Sequence, residues 1–238
     1  MKKITTEVCC GKLSDALIAE ACSVDRIELN LALELGGLSP SYGSFRSVID
    51  RIKLPVLCMV RSHAGSFVYN ETEINVMKRD AAFFLENGAS GIVFGFLNSD
   101  STIDIDRVKE FVKMANGKET VFHKAFDVTK NMEDSIKQLI DCGVTRILTS
   151  GGKDAAHLLE GCLTIDHLQR KYGSYIELLP GGGVTVDNCR EVLQISGCDQ
   201  IHMSAKRLIV DPLSKEIHAE TDRETLQKLL RNLTLSSK

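Results

Sequence analysis

The sequence predicts an α/β protein built as a single (β/α)8 barrel of the TIM type, and three observations carry that reading. Eight short β-rich runs each lead through a turn into a stretch with helical spacing. A junction of helix end, tight turn and strand start recurs along the chain. The length of 238 residues matches the roughly 250 typical of one such barrel. The recurring junctions are Cys22-Ser23-Val24-Asp25-Arg26-Ile27, Asn87-Gly88-Ala89-Ser90-Gly91-Ile92, Cys142-Gly143-Val144-Thr145-Arg146-Ile147 and Ser196-Gly197-Cys198-Asp199-Gln200-Ile201. Their equivalent positions 23, 88, 143 and 197 lie 65, 55 and 54 residues apart, close to two β-α units each. An open doubly wound sheet would carry a G-x-G-x-x-G loop after its first strand, where Cys9-Cys10-Gly11 stands instead.

Taken in order, the expected strands are Ile4–Val8, Asp25–Leu29, Val56–Val60, Gly91–Phe94, Thr120–His123, Arg146–Thr149, Tyr175–Leu179 and Gln200–Met203, with a long turn after the second. Between the third and fourth, Ile74, Met77, Ala81, Phe84 and Leu85 recur at helical spacing over Thr72–Asn87, and Gly88 follows where a left-handed C-terminal residue is wanted. Another helix starts at Asn131. Beyond residue 206 the tail is polar until Thr221-Asp222-Arg223-Glu224, a capping box ahead of Leu226, Leu229 and Leu230. The expected organisation is one barrel domain over 1–238, with eight β-α units in 1–205 and an extension with a closing helix in 206–238.

Composition excludes several classes of function. With 29 Lys+Arg against 32 Asp+Glu and a net charge of −3, nothing points to nucleic acid as a partner. The longest apolar run, Leu54–Val60, contains Pro55 and falls far short of the ~20 residues that span a bilayer. The basic start Met1-Lys2-Lys3 runs into Ile4-Thr5-Thr6-Glu7 without an apolar leader, so a cytoplasmic location is expected. Eight cysteines without a C-x-x-C pair read as reduced thiols, with Cys22, Cys58, Cys142, Cys162, Cys189 and Cys198 as small core residues.

Barrel chemistry sits at the carboxyl ends of the strands. Because alternate residues face alternate sides of a strand, Glu7 and Cys9 should point inward from strand 1, and Arg26, Glu28 and Asn30 from strand 2. Arg61 ends strand 3, His123 and Lys124 end strand 5 with Asp127 just beyond, and His202 ends strand 8. Two acids, a histidine and two cations on this face fit acid–base work on a small anionic, even phosphorylated, metabolite. In that reading Glu7 or Glu28 is the base and His123 the general acid, while Arg61 and Lys124 orient a carboxylate. The alternative is an ionic layer that plugs the mouth. Ser150-Gly151 after strand 6, Gly182-Gly183 after strand 7 and Ser204 after strand 8 read as an anion cradle, the alternative being tight turns alone. Vicinal Cys9-Cys10 reads as a soft-metal site, although neighbouring strand residues point to opposite faces.

Several blocks of residues carry a further signal: Glu7-Val8-Cys9, Asp25-Arg26-Ile27-Glu28-Leu29, Gly36-Gly37-Leu38-Ser39-Pro40-Ser41, Phe122-His123-Lys124-Ala125-Phe126-Asp127, Leu148-Thr149-Ser150-Gly151, Pro180-Gly181-Gly182-Gly183-Val184 and His202-Met203-Ser204-Ala205. Through them the chain resembles the CutC copper-homeostasis family from Glu7 to about Lys206. The resemblance implies a cytoplasmic barrel that self-associates as a dimer or tetramer and serves copper tolerance. It also implies Cu(I) ligands at the ends of strands 1 and 2, the first of which corresponds to Cys9. The second position is Asn30 here, and a neutral amide is a poor ligand for Cu(I). The family's R-P-R-G-G loop reads Arg61-Ser62-His63-Ala64-Gly65, and Lys124 stands where the family has arginine.

Overall fold

A computed structural model describes residues 3–234; Met1 and Lys2 of the basic start, and residues 235–238 of the expected domain, lie outside them. The chain runs β1 (Thr5–Cys10), α1 (Leu13–Ala21), β2 (Arg26–Leu29), α2 (Tyr42–Ile49), β3 (Val56–Met59), α3 (Glu71–Glu86), β4 (Gly91–Phe94), α4 (Ile105–Ala115), β5 (Glu119–Phe122), α5 (Met132–Asp141), β6 (Arg146–Thr149), α6 (Leu158–Tyr172), β7 (Glu177–Pro180), α7 (Cys189–Ser196) and β8 (Gln200–Met203). A hairpin of β9 (Lys206–Val210) and β10 (Ile217–Thr221) precedes α8 (Arg223–Thr234). The first eight strands are parallel, in the order β7-β6-β5-β4-β3-β2-β1-β8, with β7 lying beside β8 so that the ring is nearly closed. This is the (β/α)8 barrel that the alternation of patterns predicts.

Local chemistry explains the elements. In α3, Asn70 accepts a hydrogen bond from Glu73 N while Glu73 accepts one from Asn70 N, and Ile74, Met77, Ala81, Phe84 and Leu85 form its buried stripe. Asn131 caps α5 by accepting from the backbone of Glu133 and Asp134. At the four recurring junctions Gly88, Gly143 and Gly197 adopt positive φ, and Ser23 takes the same backbone at φ 62°. The shared turn is therefore a left-handed step between helix and strand, which explains its recurrence.

Two details differ from the sequence reading. The polar tail holds the β9–β10 hairpin, whose turn is built on Asp211 accepting from Leu213 N and Ser214 N. Helix α8 is capped from Asp222, one residue later than expected, because Asp222 accepts from both the backbone and the hydroxyl of Thr225.

Two separate apolar clusters form. One lies between the strands and the helices; the other, Leu57, Met59, Val93, Val121, Leu148 and Leu179, comes only from β3 to β7. The strands β8, β1 and β2 instead bury Gln200, His202, Glu7, Arg26 and Glu28. One half of the barrel is oily and the other ionic. At the amino ends of the strands Arg146 donates to Glu119 and Glu177, both at 2.7 Å, and Arg26 donates to Gln200 at 2.6 Å.

Candidate functional site

The ionic half is assembled by strand parity. Glu7, fully buried, accepts from Arg26 Nε at 2.5 Å through one oxygen and pairs with His202 Nδ1 at 2.8 Å through the other. Burial opposes its charge, but the His202 hydrogen bond and the charges of His202, Arg26 and Arg146 outweigh it and hold Glu7 down to about 2. Glu7 is thus a fixed anion with both oxygens engaged rather than a base. Burial works against the His202 imidazolium, yet Glu28 and Glu7 together raise its pKa.

Next along β2, Glu28 faces Cys9 across the β1–β2 register. Its Oε1 accepts from Asn30 Nδ2 at 2.8 Å and from Cys9 Sγ at 3.7 Å, while its Oε2 is buried without a partner. Burial raises the Glu28 carboxyl, with Glu7 adding to it, and burial with the Glu28 charge raises the Cys9 thiol. Asn30 Nδ2 also donates to Cys9 Sγ at 3.4 Å. One ligand atom each from Cys9, Glu28 and His202 lies within 4.8 Å of the other two. Cys10 is not part of this group. It is fully buried on the opposite face, its Sγ donating to Val8 O, because the strand continues through it and turns successive side chains apart. The expectation of a Cys9–Cys10 pair is corrected on that ground.

On the other side of the mouth Arg61 is buried without a carboxylate within 4.0 Å among the described residues. Its guanidinium donates to the carbonyls of Leu35, Gly37 and Gly65 and lies 5.1 Å from the Phe67 ring centroid, and its Nε has no partner. His123 Nδ1 accepts from Ala125 N at 3.1 Å, so the proton of the neutral ring sits on Nε2, which is buried and unpartnered. Burial and the Arg61 charge push His123 down to about 3. The ring is therefore a neutral hydrogen-bond donor through Nε2.

Between these groups opens a cavity of about 360 Å3, lined on its ionic side by Cys9, Glu28, Asn30 and His202 and opposite by Arg61, Phe67, His123 and Lys124. Gly182, Gly183, Ser204 and Lys206 line it too. Gly182 has φ +80°, and a Cβ there would stand 2.6 Å from Lys124 Nζ, so glycine lets the lysine cross the loop. The backbone N–H groups of Gly182, Gly183 and Val184 donate no hydrogen bond to backbone or side chain among the described residues.

Ser150 and Gly151 stand apart from the cavity, which corrects their expected place in an anion cradle. The Asp127 carboxylate already fills their loop, accepting from Thr149 Oγ1, from Ser150 N and Oγ, and from Gly152 N. A Cβ on Gly151 would meet the Gly161 carbonyl oxygen at 2.1 Å, so this glycine serves the packing of α6. Asp127 is a structural brace, with Lys124 Nζ 3.8 Å away. Asp127→Asn is expected to cost about 2 kcal/mol in urea unfolding by exchanging charged hydrogen bonds for unmatched donors; an unchanged midpoint and slope would contradict the brace.

Sequence reasoning did not count His202, Asn30, Phe67 or Lys206 among the site residues. Parity did place Asn30 inside and His202 was read as ending strand 8, whereas Phe67 sits in the loop after β3 and Lys206 starts the hairpin, where no local pattern marks them.

The CutC family model matches residues 4–207. A family protein CutC from Treponema denticola is 41% identical over 215 residues, 90% of this chain and 87% of that protein. A protein named copper homeostasis protein cutC homolog from Drosophila melanogaster is 36% identical over 205 residues, 85% of this chain and 77% of its own length. The solved structure of a CutC from Streptococcus agalactiae superposes with a TM-score of 0.79 at 32% identity, covering 84% of this chain and 97% of that one.

Proposed function

Because the chain belongs to the CutC family, we propose that it serves copper homeostasis by holding a Cu(I) ion as cargo at Cys9, with His202 and Glu28 completing the site. The observation that carries this reading is the convergence of those three ligand atoms within 4.8 Å on the ionic side of the mouth. The donor set fits. Glu7 takes the Nδ1 side of His202 and leaves Nε2 for a metal, the carboxylate–histidine arrangement that orients metal-binding imidazoles. Thiolate and imidazole both suit copper, and uptake must displace the Cys9 proton. All eight cysteines are free thiols, which supports a reducing, cytoplasmic setting. No helix among the described residues is long and apolar enough to cross a membrane. A homo-oligomer, dimer or tetramer, follows from the family resemblance, and light scattering on the purified chain tests it.

The copper reading is tested by anaerobic Cu(I) titration against a competing chelator. Cys9→Ser is expected to weaken binding at least as much as the ~10–100-fold typical of losing an outer-shell partner, while Cys10→Ser leaves it unchanged. Equal binding by Cys9→Ser and the parent would sink the site.

A second reading rests on its own observation. Arg61 is a buried cation with no carboxylate partner among the described residues, and it lines one cavity with His123, whose Nε2–H has no partner. That pair supports a small anionic metabolite as a ligand of the same mouth, whether the barrel transforms it or only carries it.

A further inference from the structure

Resting on the anionic-ligand reading, we propose that the mouth is built for a short hydroxy compound with an oxyanion at each end. Four of the eight buried side-chain polar atoms without a partner among the described residues belong to residues lining this one cavity: Glu28 Oε2, Asn30 Oδ1, Arg61 Nε and His123 Nε2. Leaving such atoms unpaired costs about 1–3 kcal/mol each, so four under-paired side chains gathered around one cavity are the groups a ligand would engage.

The atoms sort by chemistry into a donor end, an acceptor patch and a second donor end. At the first end Arg61 and His123 offer a positive charge and an N–H, both fixed against Phe67. Only an acceptor satisfies them, and an anionic one also neutralises the guanidinium. At the second end the free N–H groups of Gly182, Gly183 and Val184 run through two glycines with positive φ, Gly182 and Gly183, a run of successive amides of the kind that cradles oxyanions. Lys124 Nζ lies against this loop, and Lys206 lines the same wall. The Asp127 carboxylate occupies the neighbouring loop after β6, so the cradle is confined to the loop after β7.

The acceptor patch comes from β2, where Glu28 Oε2 needs a donor and so selects a hydroxyl, while Asn30 Oδ1 is packed against Gly37. A volume of about 360 Å3 stands near the small end of ligand pockets, which run from about 300 to 1,000 Å3, and suits a metabolite of a few carbons. Two poles of positive character in one small cavity reject a ligand charged at one end only, because the second pole would stay unpaired.

Calorimetric titration of the metal-free, reduced protein tests the proposal with probes of defined ends. Phosphoglycolate and succinate carry two oxyanions; methyl phosphate and acetate carry one. At least one two-ended probe is expected to bind tenfold or more tightly than its one-ended counterpart, and which pair shows the gap identifies the oxyanion at the loop end as phosphate or carboxylate. Arg61→Met should erase that gap by weakening the two-ended probe tenfold or more, and His123→Asn, which keeps the local cap, should narrow it. Lys124→Met should weaken both members of the pair. Malate binding more tightly than succinate supports the hydroxyl, and equal binding removes it. One-ended and two-ended probes of equal affinity would overturn the two-pole proposal and leave the anionic-ligand reading standing. No heat and no thermal shift with any probe at ten millimolar would overturn both.

Discussion

Arg26→Met is expected to lower the unfolding free energy by about 3–5 kcal/mol, the range seen when one partner of a buried ion pair is removed. The reason lies in what remains. Glu7 is fully buried on β1 and would keep its charge with His202 as its one remaining ion-pair partner and Arg146 acting only from further off, while Gln200 Oε1 would lose the donor that holds it at 2.6 Å. The double variant Arg26→Met, Glu7→Gln should recover part of the loss, since a neutral amide needs no counter-charge. Urea unfolding of the two variants beside the parent measures this, and a cost below about 1 kcal/mol for the single change would mean that water reaches Glu7 and the ionic half is not dry.

The second large effect concerns acid. His123, ordinarily titrating near 6.5, is pushed down to about 3 by burial and by Arg61. Its neutral form is the one the fold accepts, so the unfolded chain binds one more proton wherever the pH lies between those values. Stability is therefore lost as pH falls from 6.5 towards 3, by up to about 1.4 kcal/mol per pH unit from this residue. Glu7 works in the same direction only below its ordinary 4.5, its contribution fading as pH falls through about 2. Glu28 works in the opposite direction, because burial raises its carboxyl and the folded form takes up its proton first. His123→Asn separates these contributions. The asparagine can accept from Ala125 N as His123 Nδ1 does, and it does not titrate. Between pH 6.5 and 4.5 the variant should gain on the parent by about 2–3 kcal/mol. Parallel acid limbs for the two proteins would show that His123 takes a proton freely and is not the buried neutral donor.

Both effects trace to a division of labour around the ring. Apart from Arg146 and its two acids at the amino ends, strands β3 to β7 fill the interior with apolar side chains, which need only each other, whereas β8, β1 and β2 place acids, a guanidinium and an imidazole that must find partners. Buried polar atoms without a partner appear where that pairing is incomplete, at Glu28, Asn30, Arg61 and His123. Copper and an organic anion would thus meet the same mouth from different sides: the thiol, imidazole and carboxylate on one, the guanidinium and amides on the other.

What the sequence determined by itself was set by period and parity. The alternation of strand and helix patterns, the left-handed junction residues and the helix caps are local, so the barrel and its order of elements were legible, as was the inward direction of Glu7, Cys9, Arg26, Glu28 and Asn30. The polar tail after residue 206 hid a hairpin because its two strands lie mostly exposed and bury no apolar face, so no alternation marks them. Only the tertiary structure decided which inward groups pair. It joined Glu7 to Arg26 and His202, closed the Ser150 loop with Asp127, turned Cys10 away from Cys9 and left Arg61 without a carboxylate among the described residues. Hydrogen bonds and burial depend on distant partners, Glu7 and His202 being 195 residues apart. Those contacts set whether a histidine is a charged acid or a neutral donor, a choice no local spacing encodes.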